Sequence, residues 1–360
     1  MEYLIIIPTY NEAENIKKLL KVILDLKLVS TDILVVDDNS PDGTSQKIKD
    51  LVKSQNLNNK VYGLDRKKKE GLGKAYIAGF KWALLKNYDK IITMDADFSH
   101  HPKYLTKLLK ESEKYDVIVG SRYIKGGKVV GWSWGRYLNS RGANIFTRAI
   151  LGLKLKDVTA GYKCYSARFL RAINFNDLVS PGYAFQVEML NLAQEGPFSI
   201  KEIPITFTDR RVGQSKISGE LYRSAIAIIR LAVRKQIYRQ FIKFSIVGIS
   251  GMAVDWLVYF TATRWLRLFY LSAKIISFIF AATNNYIWNR AWTFRSKEKK
   301  IAKEFYKFIS VSVIGLSINA FIMYLIVGIF KLNDLLGWLL ATMIVLFWNF
   351  IIIKFWVFKK

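Results

Sequence analysis

The chain has 360 residues and a formal net charge of +27, from 55 Lys and Arg against 28 Asp and Glu. Residues 213–360 hold 21 of those cations against 5 carboxylates, beside long apolar runs and without a nucleic-acid-binding motif. Anionic lipid headgroups are therefore the expected partner of the charge, and nucleic acid is excluded. A single cysteine, Cys164, excludes an internal disulfide and suits a reducing compartment.

Taken in chain order, residues 1–212 alternate apolar strands with amphipathic helices. Strands are predicted at 4–7, 33–36, 61–64, 91–94, 117–120 and 203–207, and helices at 15–26, 44–54, 73–86 and 102–114. This alternation implies an α/β domain with a mostly parallel, doubly wound sheet. In such sheets ligands bind beyond the carboxyl ends of the strands. Residues 213–243 are basic and amphipathic, with seven Lys or Arg from Lys216 to Lys243. Four apolar runs follow, at 244–263, 271–289, 308–330 and 335–353, each near the ~20 residues that cross a bilayer core. The chain is thus expected to be a multi-pass membrane protein.

A shift of 64 residues superposes Lys243-Phe244 on Lys307-Phe308 and Gly251 on Gly315. It also superposes Asn285 on Asn349, Arg290 on Lys354, and Trp292-Thr-Phe294 on Trp356-Val-Phe358. Two copies of one helical hairpin explain these matches. Seven cations lie between Arg290 and Lys307, whereas the intervening loops carry only Arg264, Arg267 and Lys331. The positive-inside rule then places the N-terminal domain, the middle loop and the C-terminus in the cytoplasm.

Acidic loops follow the strands. The first gives Pro8-Thr-Tyr-Asn-Glu12 and the second Asp37-Asp38-Asn-Ser-Pro-Asp42. Both can accept hydrogen bonds from a nucleobase and ribose, and both are equally ordinary turn and cap chemistry. The fourth gives Asp95-Ala-Asp97, two carboxylates spaced to hold a hard divalent cation together with substrate phosphate oxygens. His100 and His101 fit no zinc spacing. Glu70-Gly-Leu-Gly73 precedes a helix and can help cradle phosphate, but there is no P-loop and no Gly-x-Gly-x-x-Gly after the first strand.

In this order the motifs Pro-x-Tyr-Asn-Glu, Val-Asp-Asp-x-Ser-Pro-Asp, Gly-Leu-Gly, Asp-Ala-Asp-x-Ser-His-His-Pro, Gly-Ser-Arg-Tyr and Asp-x-Thr-x-Gly-Tyr resemble family 2 glycosyltransferases of the GT-A fold. Within these the chain is most similar to polyprenyl (dolichyl) phosphate mannose synthases. Its last 120 residues resemble the four-helix membrane domain that such enzymes carry.

The resemblance implies that Pro8, Tyr10, Glu12, Val36 and Asp38 surround the base and ribose. It implies that Asp95 and Asp97 hold Mg²⁺ or Mn²⁺, with Ala96 approaching the nucleotide through its backbone. Ser99 stands where some relatives have a Gln metal contact. Arg122 matches an arginine close to the donor and acceptor phosphates, and Arg136 and Ser140 match positions that hold the acceptor phosphate. Arg210 and Lys216 lie in a loop that closes over the diphosphate. The implied reaction moves mannose from GDP-mannose to a membrane polyprenyl or dolichyl phosphate with inversion. A UDP-glucose enzyme and a lipid-sugar transporter with a regulatory soluble domain are the alternatives. Gln236-Ile-Tyr-Arg239-Gln240 lacks the Trp of the processive Gln-x-x-Arg-Trp motif, so one sugar per acceptor is expected.

Overall fold

The computed structural model describes residues 1–54, 60–178, 180, 182–209 and 217–359. The chain divides into two compact units, Met1–Ala232 and Val233–Lys360.

Among the described residues the first unit has nine strands: β1 (Tyr3–Thr9), β2 (Thr31–Asp37), β3 (Val61–Asp65), β4 (Lys90–Thr93), β5 (Val117–Ser121), β6 (Lys128–Val130), β7 (Lys163–Ser166), β8 (Ile200–Pro204) and β9 (Thr206–Thr208). Its helices are α1 (Ile16–Asp25), α2 (Thr44–Ser54), α3 (Leu72–Leu85), α4 (Leu105–Ser112), α5 (Trp134–Leu151), α6 (Ala167–Arg171), α7 (Gly182–Glu195) and α8 (Ile217–Arg234). The main sheet has the order β3-β2-β1-β4-β7-β5-β8. Parallel pairing aligns Thr9 with Asp37 and Asp37 with Asp65, so the carboxyl ends of β1, β2 and β3 form one rim.

Strands β1 and β2 form because Leu4-Ile-Ile-Ile7 and Ile33-Leu-Val-Val36 are buried on both faces, as helix-covered parallel strands require. Helix α3 packs close to them at Gly79. A Cβ there would come within 2.9 Å of Ile6, which fixes glycine at that contact.

The strands depart from those expected from sequence at β6, at β7 and at the 203–207 segment. Strand β7 inserts antiparallel between β4 and β5, placing Lys163 opposite Thr93 and Val119. The segment expected as one strand at 203–207 divides at Ile205. Its first part ends β8, beside β5, and its second is β9, which pairs with β6 in a separate ribbon.

The second unit holds α9 (Gln236–Arg264), α10 (Tyr270–Trp288), α11 (Ile301–Met323) and α12 (Asp334–Ile352). Among the described residues three helical stretches are long and apolar enough to cross a membrane: Gln236–Arg264, Ile301–Ile329 and Asp334–Val357. The fourth expected span falls on α10, which Lys274, Asn284 and Asn285 make less apolar. Two of those groups are satisfied by α9: Lys274 pairs with Asp255 at 2.6 Å, and Asn284 Nδ2 donates to Ser250 Oγ at 3.1 Å.

The same contacts recur 64 residues apart. Gly251 lies against the Asn285 side chain and Gly315 against Asn349, with no room for a Cβ at either glycine. Each hairpin ends in a π-helical turn, Asn289–Thr293 and Ile353–Val357. Lys243 lies over Trp292 at 4.9 Å and Lys307 over Trp356 at 5.3 Å.

Candidate active site

The rim of β1 and β2 is held together by Asp37. Its carboxylate accepts from Thr9 Oγ1 at 2.9 Å, Ser40 N at 2.8 Å and Ser40 Oγ at 2.6 Å, while Ser40 Oγ accepts from Asn11 N at 3.0 Å. Asp37 thus locks the two loops to each other.

Its neighbour Asp38, also buried, reaches the next loop. Arg66 donates to Asp38 Oδ1, and the backbone N–H groups of Glu70 and Gly71 donate to Asp38 Oδ2 at 3.1 and 3.0 Å. Arg66 also pairs with Glu70. The Gly-Leu-Gly loop that opens α3 is therefore fastened to the end of β2. Gly71, at φ +94°, adopts a backbone conformation that favours glycine. The face of the Tyr10 ring is covered by Lys69, whose Nζ lies 3.5 Å from the ring centroid.

Asp95 and Asp97 follow β4 near the centre of the sheet. Asp95 accepts from the hydroxyl of the buried Tyr76 at 3.3 Å, and Asp97 accepts from Ser99 N at 3.0 Å. Ser99 Oγ is buried without a hydrogen-bond partner among the described residues. Gly161 keeps the approach to Asp95 clear: a Cβ there would stand 3.1 Å from His100 Cε1 and 3.5 Å from Asp95 Oδ2.

The donors gathered here are all oxygens and suit Mg²⁺ or Mn²⁺. Among the described residues no group of three His, Cys, Asp or Glu side chains could hold a metal ion alone. His100 is structural. Its Nδ1 accepts from Asp95 N at 3.1 Å, its ring stacks on Tyr162 at 5.0 Å, and burial lowers its pKa, so it stays neutral.

Arg122, at the end of β5, is the centre of a second cluster. Its Nε and Nη2 donate to the two oxygens of the fully buried Asp157, each at 2.7 Å, and Nη2 also donates to Thr159 Oγ1 at 2.8 Å. Burial alone would raise the Asp157 pKa, but the Arg122 charge and its hydrogen bonds hold it below the usual range. Arg122, which the resemblance puts close to the donor and acceptor phosphates, thus has its Nε and Nη2 turned to Asp157.

Arg136 lies in the first turn of α5. Its Nη1 donates to both oxygens of Asp209, at 2.7 and 2.8 Å, and the guanidinium lies over Trp132 at 4.5 Å. Arg136 Nε and Trp132 Nε1 are buried N–H donors without partners among the described residues. One turn along, Ser140 Oγ shares a 2.7 Å hydrogen bond with Tyr123. A further turn on, the buried Asn144 donates to Ser140 O and Thr159 Oγ1 and accepts from Val158 N. Asn144 therefore joins α5 to the loop that carries Asp157 and Gly161. Arg210 and Lys216 lie outside the described residues.

The structure brings Pro8, Tyr10, Glu12, Val36 and Asp38 to the β1 and β2 rim and Asp95, Ala96, Asp97 and Ser99 to the β4 end. It adds Arg66, Trp132 and Asn144, which sequence reasoning did not single out, and it pairs Asp157 of the Asp-x-Thr-x-Gly-Tyr motif with Arg122.

Such a sheet, with a carboxylate pair after a central strand, defines a glycosyltransferase of the GT-A type. Residues 4–173 match the family model described as glycosyl transferase family 2, and residues 243–358 match the GtrA/DPMS transmembrane domain. The undecaprenyl-phosphate mannosyltransferase of Micrococcus luteus is 43% identical over 227 residues, 63% of this chain and 91% of that protein. The polyprenol monophosphomannose synthase of Mycolicibacterium smegmatis is 42% identical over 224 residues, 62% of this chain and 83% of that protein. The dolichol-phosphate mannosyltransferase of Pyrococcus furiosus is 34% identical over 335 residues, 90% of both chains. The chain belongs to this group of family 2 glycosyltransferases and joins a GT-A catalytic unit to a GtrA/DPMS membrane domain.

Proposed function

We propose that the protein transfers one mannosyl group from GDP-mannose to a membrane polyprenyl or dolichyl phosphate, with inversion, and releases GDP. The observation that carries this reading is the placement of Asp95 and Asp97 at the end of β4, beside an oxygen-only donor set. The relatives' names supply the sugar and the acceptor class.

The base and ribose are assigned to the rim formed by Pro8, Tyr10, Glu12, Val36 and Asp38. A Mg²⁺ or Mn²⁺ ion held by Asp95 and Asp97, with Ser99 beside them, would offset charge on the departing diphosphate. Arg136 binds the acceptor phosphate, helped by the unpartnered N–H groups of Arg136 and Trp132, which suit an anion. Ser140 and Tyr123 border the same place. Arg122 acts as a positioning residue, because its pair with Asp157 fixes the loop before Gly161 and, through Thr159 and Asn144, helix α5.

A phosphate oxygen of the acceptor is already anionic near neutral pH, so no strong general base is needed. That oxygen forms the new bond to the anomeric carbon as the bond to the GDP oxygen breaks. Attack from the opposite face turns an α-linked donor into a β-linked product. Alignment and charge neutralisation then carry the rate. Arg210 and Lys216 close over the diphosphate in this scheme. The basic segments support a cytoplasmic location for the catalytic unit, the 290–307 loop and the C-terminus.

The test is transfer of radiolabel from GDP-mannose, and separately from UDP-glucose, into organic-extractable lipid by the full-length protein. Label is expected from GDP-mannose alone. Asp95→Ala and Asp97→Ala should each lower transfer by on the order of a hundredfold or more, as loss of several kcal/mol of charge stabilisation implies. Chelation should do the same. Label from UDP-glucose alone would overturn the donor, and full activity of a metal-stripped protein in EDTA would overturn the metal.

A further inference from the structure

The membrane unit contains a polar site that the hairpin fold does not need. A pocket of about 400 Å³ is lined by Asp255, Trp256 and Tyr259 of α9 and by Tyr270, Leu271 and Lys274 of α10. Lys274 Nζ donates to Asp255 Oδ2 at 2.6 Å, and the buried Ser277 donates to Asp255 Oδ1 at 2.7 Å. Among the described residues Asp255 is the only hydrogen-bond partner of the Lys274 ammonium, which leaves two of its three N–H donors. The Lys274 side chain is 58% exposed, and Trp256 and Tyr270 are exposed beside it.

The repeat supplies an independent control. Shifted by 64 residues, Asp255 becomes Asn319, Lys274 becomes Trp338, Ser277 becomes Ala341 and Trp256 becomes Ala320. The second hairpin keeps the Gly–Asn contact and the closing π-turn without any of these groups. The ion pair is therefore an addition to the hairpin. An ionisable pair within a membrane segment is costly and marks a functional site.

We infer that this pocket binds a phosphate-bearing lipid headgroup, with Lys274 as its cation and Asp255 as the residue that orients it. Charge favours an anion: residues 255–274 hold three cations, Arg264, Arg267 and Lys274, and a single carboxylate, Asp255. The aromatic rings suit the membrane–water interface, where the headgroup lies and the chains continue along apolar surface. A membrane phospholipid and a polyprenyl phosphate share this chemistry. The site does not depend on the transfer reaction proposed above.

The test is thermal unfolding of the full-length protein in detergent micelles, with added phosphatidylglycerol, short-chain polyprenyl phosphate or phosphate-free diacylglycerol. Phosphate lipids are expected to raise Tm by about 2–4 °C, as ligand linkage allows, and diacylglycerol to leave it unchanged. Lys274→Met alone leaves Asp255 unpaired. The informative variant is therefore D255N/K274M, which removes both charges as the second hairpin does. It should lose the shift, and Lys274→Arg should keep it. The phosphate lipid that gives the larger Lys274-dependent shift identifies the source, and equal shifts assign the site to the shared phosphate. A full shift in D255N/K274M, or an equal one with diacylglycerol, would overturn the inference.

Discussion

Asp157 shows how much one side chain can carry. It is fully buried, accepts both the side chain and the backbone N–H of Arg122, and sits 35 residues away from it in sequence. Removing one partner of a buried ion pair leaves the other charge uncompensated, at a cost of about 3–5 kcal/mol. Asp157→Ala should accordingly lower the denaturant midpoint strongly, whereas D157L/R122M, which removes both charges, should recover most of the loss. A small effect from the single change would show that Arg122 finds another partner. The place of the strand-end carboxylates was legible in sequence because Asp-Ala-Asp directly follows an apolar strand. The Arg122–Asp157 pair was not, because nothing local in either motif says that the two meet.

Among the elements, β7 was the hardest to foresee. Its four residues begin with Lys163, which is fully buried and satisfied by Gln186 of α7, with Nζ 2.7 Å from Gln186 Oε1. A lysine in a short run reads as a loop, and only the fold supplies the amide that lets it enter the sheet. Helix α5 escaped for another reason. Trp134, Leu138 and Ile145 are exposed, so its apolar residues do not mark the buried face; Asn144, Thr147 and Leu151 do. The membrane helices were easier, because length and apolarity speak directly, although α10 proved more polar than a free span.

The Gly–Asn contacts of the hairpins give a test at this scale. Gly251→Leu should separate α9 from α10, because the Asn285 side chain occupies the space of a Cβ. Gly315→Leu should act likewise on α11 and α12. Overpacking of this kind costs about 1–3 kcal/mol. Both variants should lower the temperature at which the detergent-solubilised protein aggregates, while Gly248→Leu, at an open position, should not. Equal behaviour of all three would remove the contact as a stabilising feature.

For the whole molecule, division into Met1–Ala232 and Val233–Lys360 predicts that a fragment ending at Ala232 folds by itself. All the candidate site residues lie within it. The fragment should bind nucleotide diphosphate and Mn²⁺ as the intact protein does, measured by calorimetry. It should lose much of its rate on long-chain lipid phosphate in bilayers, because tethering raises the local concentration of partners that meet only at the surface. A fragment equally active on bilayer acceptor would show that anchoring contributes nothing to the encounter.

The paired hairpins also bear on how such a chain can grow or shrink. A helix that runs out and a helix that runs back return the polypeptide to the face it left. With α9–α10 and α11–α12 each proposed to cross the bilayer and return, gain or loss of one pair would change the anchor by an even number of crossings. Parity would then be conserved: the membrane domain could be halved or doubled while the residues before Val233 kept their compartment.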